Sequence, residues 1–266
     1  DARAYSLYGD MFFQCGEPDS AFSRSLRSAR LDSSKIEVWQ QILRIYSAQQ
    51  KNDSLLAVSN LVIHLFPDDF LGYYFNGAVN VFLRAEDSAI IYLNRAISLG
   101  VSDASMKSEL YSLLGEAYNA THNYSASDSC FDLSLILVPK NDLVLNNYSY
   151  YLSERGEQLE KAERMSKVSL ELSPDNYVYE DTYAWVLFKL GKYSSVKAWM
   201  EKALSHKEAE NGPGYLEHYG DILYKLNDVD GAVKYWELAK SKGADSPLLN
   251  EKILERKIVR APSVEK

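Results

Sequence analysis

The sequence predicts an all-α solenoid of about seven stacked helical hairpins closed by one further helix, and three observations predict it. Small residues recur in pairs at a spacing near 34 residues, turn formers punctuate the chain at the same period, and no segment sustains the apolar/polar alternation of a strand.

The pairs are the core of the argument. A compact residue in each first helix is followed about twelve positions later by another in the second: Gly9 with Ala21, Gly77 with Ala89, Gly115 with Ser127, Ser149 with Ala162, Ala184 with Val196, and Gly220 with Ala232. Antiparallel helices approach closely only where neither carries bulk, so these positions mark the crossings. Leu43 with Leu55 holds the same two positions in the second hairpin with bulkier aliphatic residues. Three positions beyond each first-helix crossing stand Phe12, Tyr46, Asn80, Tyr118, Leu152, Leu187 and Leu223, on the same helix face, with Asn80 the odd member. One second-helix position carries Leu93, Phe131, Met200 and Trp236 but Ser25, Ser59 and Ser166 elsewhere, which is expected to weaken those three hairpins.

The turns read as Cys15-Gly16-Glu17-Pro18, Lys51-Asn52-Asp53, Arg84-Ala85-Glu86-Asp87, His122-Asn123, Arg155-Gly156-Glu157, Gly191-Lys192 and Asn227-Asp228. Pro67, Pro139 and Pro174 fall where second helices should stop. The periodicity divides the chain at 1–35, 36–69, 70–103, 108–141, 142–176, 177–212 and 213–245, with a cap over 246–260. Two insertions, about four residues near Val101 to Ala104 and a longer one around His206 to Gly212, are expected to lengthen surface loops, which costs little. The cap runs from Ser246 to Val259 in apolar periodicity and would cover the last hairpin.

With 46% hydrophobic and 25% charged residues, the 266-residue chain can bury a sizeable core. A net charge of −8 argues against nucleic acid, because neutralising phosphates needs clustered Lys and Arg. The longest apolar stretch, Leu55 to Phe66, is broken by Ser59, Asn60 and His64 and is too short to span a bilayer. Opening at Asp1 without an initiator Met or leader, the chain reads as a trimmed or processed piece. Cys15 and Cys130 fall in the first and fourth hairpins, too far apart in the array to be paired, and read as ordinary thiols. His64, His122, His206 and His218 are scattered, and there is no zinc spacing, phosphate cradle or nucleophile elbow. No catalytic residue, cofactor or metal is expected.

The stretches LYGDMFFQCGEPDSAFSRSLRSARLD, LLGEAYNATHNYSASDSCFDLSLILVP, AWVLFKLGKYSSVKAWMEKAL and YGDILYKLNDVDGAVKYWELAKSKG resemble the tetratricopeptide repeat, and the matches cover nearly the whole chain. The segment from Leu145 to Tyr193 is similar to bacterial tetratricopeptide proteins, many of them exported or anchored in the cell envelope. The resemblance implies a right-handed α-α superhelix whose concave groove, lined by first helices, takes extended peptides or partner helices. It places at groove positions Ser6 and Asp10, Gln40 and Arg44, Tyr74 and Ala78, Ser112 and Glu116, Asn146 and Tyr150, Asp181 and Trp185, and Glu217 and Asp221. Asn146 would hold a peptide backbone, Tyr74, Tyr150 and Trp185 would pack on apolar side chains, and the acids would pair with Lys or Arg of a weakly basic ligand. The competing reading leaves the aromatic residues as core and the acids as solvated surface. The Lys, Asn and Arg set that grips chaperone tails is absent. Three functions follow: a protein- or peptide-binding scaffold, the regulatory or substrate-presenting arm of an enzyme whose catalytic domain lies outside this chain, or a self-associating structural module.

Overall fold

A computed structural model describes residues 1–259; position 260, the last assigned to the cap from sequence, lies outside them. The described residues form helices and connecting turns with no strand. They divide into two compact units.

The first unit, through Pro139, holds four hairpins. They are α1 (Ala2–Gln14) with α2 (Pro18–Leu31), α3 (Ile36–Ala48) with α4 (Asn52–Leu65), α5 (Phe70–Phe82) with α6 (Glu86–Ser98), and α7 (Ala104–Ala120) with α8 (Tyr124–Leu137). The second unit begins at Lys140 and holds α9 (Asp142–Arg155) with α10 (Leu159–Leu172), and α11 (Tyr177–Lys189) with α12 (Tyr193–Leu204). It continues through a short α13 (Lys207–Glu210) and the hairpin of α14 (Pro213–Lys225) with α15 (Val229–Ser241), and ends in α16 (Pro247–Glu255). None of these helices is long and apolar enough to cross a membrane.

All fourteen crossing residues read from the sequence are buried. The reason is visible where glycine stands at the crossing. A Cβ on Gly77 would come within 2.5 Å of Leu93, on Gly115 within 2.8 Å of Phe131, and on Gly220 within 2.5 Å of Trp236. Large second-helix residues thus occupy the space their partner glycines vacate. In the second hairpin Leu43 replaces the glycine and Ser59 the large residue, both fully buried. The helices α3 and α4 are the least intimately packed of the seven pairs, as two leucines at the crossing dictate.

The serines at these positions are each buried and hydrogen-bonded. Ser25 donates to the Ala21 carbonyl at 2.9 Å and bonds Gln41, which α3 inserts beside Gly9. Ser59 accepts from Asn76 Nδ2 at 2.9 Å, and the odd Asn80 donates to Asn76 Oδ1 at 2.8 Å, so the two form one satisfied polar ladder from α4 into α5. Ser166 donates to the Ala162 carbonyl at 2.8 Å.

Both insertions lengthen their inter-repeat connections, as expected, but neither is a plain loop. The first is absorbed as extra helix: α7 starts at Ala104, capped by Asp103, and runs 17 residues where the preceding first helices run 13. The second coils into α13 and is pinned down. Ala209 is fully buried, and His206 Nε2 lies 3.3 Å from Glu180, a fully buried carboxylate also 2.7 Å from Lys202 Nζ. Its far end leads into Gly212, Pro213 and Gly214. The cap ends at Glu255 rather than near 259, with Ser246 as its N-cap and Leu249 fully buried.

Every hairpin turn places a residue in the left-handed region, Gly16, Gln50, Arg84, His122, Gly156, Gly191 and Asn227, and the fifth turn adds Gln158. Glycine adopts this φ without penalty, whereas other residues pay about 1 kcal/mol. Arg84, exposed at φ 59°, has no side-chain role to offset that cost. Arg84→Gly is expected to raise unfolding free energy by about 0.5–1 kcal/mol after the added unfolded-state entropy is subtracted, measured by urea denaturation.

Candidate functional site

The first helices of the second unit each present one face built on i, i+4 spacing. On α9 it carries Asn146, Tyr150 and Glu154; on α11, Asp181, Trp185 and Lys189; on α14, Glu217 and Asp221 with His218 beside them. These faces enclose two adjoining hollows. One, of about 420 Å³, is lined by Asn146, Asn147, Tyr150, Tyr151, Val178, Asp181, Thr182, Gly212, Pro213, Gly214, Tyr215 and His218. The other, of about 680 Å³, is lined among others by Tyr150, Glu154, Trp185, Phe188, Glu217, His218, Asp221 and Lys252. Tyr150, Gly214 and His218 are common to both.

Asn146 stands at the floor of the first hollow, only 3% exposed. Its Nδ2 makes a long bond of 3.3 Å to Asn147 Oδ1, and its Oδ1 finds no hydrogen-bond partner in the protein. A buried carbonyl left in that condition costs about 1–3 kcal/mol, so its retention points to a donor supplied from outside.

His218 forms the wall between the hollows. Its Nδ1 lies 3.0 Å from Asp181 Oδ1 and 3.2 Å from Oδ2, and its ring stacks on Trp185 at 4.0 Å between centroids. Burial pulls this imidazole toward its neutral form, but the charge and hydrogen bond of Asp181, with Glu154 and Asp221 behind it, outweigh burial and raise its pKa. Burial likewise raises the Tyr150 phenol, helped by Glu154, Asp181 and Glu217, and lifts Tyr215 to about 12 with Asp181 assisting. Lys252, carried in by α16, bonds Glu217 at 2.7 Å and Asp221 at 2.9 Å. Burial opposes its charge, yet Asp221 and Glu217 outweigh burial and raise its pKa.

Solved structures share this architecture. A tetratricopeptide repeat protein from Parabacteroides merdae aligns over 96% of this chain and 98% of its own, with a TM-score of 0.69 at 16% identity. The APC/C hetero-tetramer Cut9-Hcn1 contains a chain that aligns over 95% of this one, with a TM-score of 0.77 at 13% identity; the match spans about half (48%) of that chain. This is the tetratricopeptide repeat fold. A third match, YrrB, described as a tetratricopeptide protein with an unusual peptide-binding site, aligns over 68% of this chain and 91% of its own, with a TM-score of 0.53 at 13% identity. No family model matches the sequence, and no curated protein matches it.

Within the tetratricopeptide frame, the groove positions read from sequence divide into two groups. Asn146, Tyr150 and Asp181 line the first hollow, and Tyr150, Trp185, Glu217 and Asp221 the second. Those in the first unit engage neighbouring hairpins: Gln41 bonds Asp10, Gln40 Nε2 reaches the α5 cap Asp69 at 3.2 Å, and Tyr74, 8% exposed, donates to Glu109 at 2.5 Å. Ser112 is buried, Ser6, Ala78 and Glu116 are half-buried, and Arg44 is exposed. The same stitching recurs in the second unit and alters two expectations. Trp185 is 6% exposed, with Phe188 and His218 stacked against it and its Nε1 donating to Glu154 at 2.6 Å, so its faces are taken by this chain. Asp221 and Glu217 already hold Lys252, which leaves Asp181 as the carboxylate facing the first hollow. Sequence reasoning missed His218, Tyr215 and Lys252. The first follows Glu217 directly and was discounted for lacking a metal spacing, and the last lies in the cap, which was read only for its apolar periodicity.

Proposed function

We propose that the protein is a non-enzymatic scaffold whose second unit holds an extended segment of a partner protein across the two hollows. The observation that carries this is the buried, unpartnered Asn146 carbonyl at the floor of an aromatic-lined concavity. An extended peptide offers backbone N–H groups to such an acceptor. Its side chains i and i+2 fall on one side about 7 Å apart, which suits two adjoining hollows that share Tyr150 and His218 as a wall. The tetratricopeptide neighbours, one of them described as peptide-binding, support a scaffold role.

The test separates binding from folding. Asn146→Leu keeps the volume and removes the orphaned carbonyl, so it is expected to stabilise the chain by about 1 kcal/mol. The same change is expected to weaken capture of peptides from a random extended-peptide array by about tenfold, one lost hydrogen bond at a desolvated site. Equal capture by wild type and Asn146→Leu would reject the assignment, and so would the absence of any captured peptide.

A further inference from the structure

We infer that the first hollow selects a basic side chain, whose cation takes a place on Asp181 beside His218 and drives the proton from that histidine into solvent. This rests on the proposal that the hollows take an extended peptide, and it names the ligand's charge and its linkage to pH. Asp181 is the carboxylate that lines the first hollow, and it already holds His218 through both oxygens. The unpartnered Asn146 carbonyl lies in the same hollow and wants a donor, so both polar groups at this floor ask for N–H.

The surroundings favour a positive guest. From α9 Glu154 faces His218, and from α14 itself Asp221 does so; Lys252 of α16 and Lys189 of α11 are already engaged by Asp221 and Glu154. Tyr150, the other wall common to both hollows, has its proton held first by burial and then by the nearby charges of Glu154, Asp181 and Glu217. An imidazolium and a ligand ammonium on one carboxylate repel, and His218 alone of the two can shed its charge near neutral pH. Binding of the base and protonation of His218 therefore oppose each other, and reciprocity makes affinity rise with pH.

The probes are acetyl-Leu-Lys-Leu-Lys-Leu-amide and its counterparts with Gln or Glu in place of Lys, titrated against the full chain and against His218→Gln at pH 5.5 and pH 8. The Gln side chain keeps a donor toward Asp181 without a proton to lose. Wild type is expected to bind the Lys peptide about tenfold more tightly at pH 8, the Gln peptide equally at both, and the Glu peptide more weakly at pH 8. In His218→Gln all three are expected to be flat, with circular dichroism confirming the fold. A Lys peptide that binds with no pH dependence, or a dependence that survives in His218→Gln, overturns the inference while leaving the groove proposal standing. Failure of all three peptides at both pH values overturns both.

Discussion

Lys252→Ala is expected to cost about 3–5 kcal/mol of unfolding free energy, because it removes one partner of a buried ionic cluster and leaves the other behind. Asp221 is 6% exposed and bonded to Lys252 at 2.9 Å on one oxygen and to Trp236 Nε1 at 2.9 Å on the other. With the ammonium gone, a buried carboxylate keeps a single neutral donor. The cap's packing through Leu249 is untouched, so a purely apolar account of α16 predicts a much smaller loss. Urea unfolding followed by tryptophan fluorescence measures the deficit. Burial raises the Asp221 pKa, so protonation of the folded variant removes the uncompensated charge. The sign follows: the deficit relative to wild type is greatest at neutral pH and shrinks as pH falls through the folded-state pKa of Asp221. Asp221→Asn added to Lys252→Ala is expected to recover much of the loss, since its carbonyl still accepts from Trp236. A deficit that is unchanged by pH and by the second substitution would show that Lys252 acts through packing alone.

The hairpins were legible because their causes are local and periodic. A glycine at Gly77, Gly115 or Gly220 and a large residue sixteen positions on are both set by helix geometry, and both recur in register. The partners of the serines were not legible for the opposite reason. Ser25 is satisfied by Gln41 and Ser59 by Asn76, residues of the following hairpin whose approach the sequence within one repeat does not reveal. The candidate site shows the same division. The tetratricopeptide resemblance named Asn146, Tyr150 and Asp181 as groove positions, and the three line one hollow. It could not show that Lys252 returns from the cap to neutralise Glu217 and Asp221, or that His218 is seated on Trp185. Nor could it show that the insertion, through His206 and Glu180, is fixed in place with Gly212, Pro213 and Gly214 forming part of the wall. Those are contacts between repeats, where period carries no information and only charge and volume decide.

Volume matching at the crossings yields the second large effect. Gly220→Ala would set a methyl group 2.5 Å from Trp236 Cδ1 and Nε1 and 3.1 Å from the Ala232 carbonyl. The indole is fully buried and tethered to Asp221, so it cannot swing aside as a flexible side chain would. Overpacking is expected to outweigh the helix propensity gained and to destabilise by about 2 kcal/mol net. Trp236→Leu alone is expected to cost about 3 kcal/mol through the cavity it opens and the donor it takes from Asp221. Together the two changes should cost less than their sum by about 1–2 kcal/mol, because the methyl group enters the space the indole leaves. Urea denaturation of the four proteins closes the cycle. Strict additivity would mean that the small first-helix residue and the large second-helix residue do not share one space, and the volume rule read from Gly77, Gly115 and Gly220 would lose its physical basis.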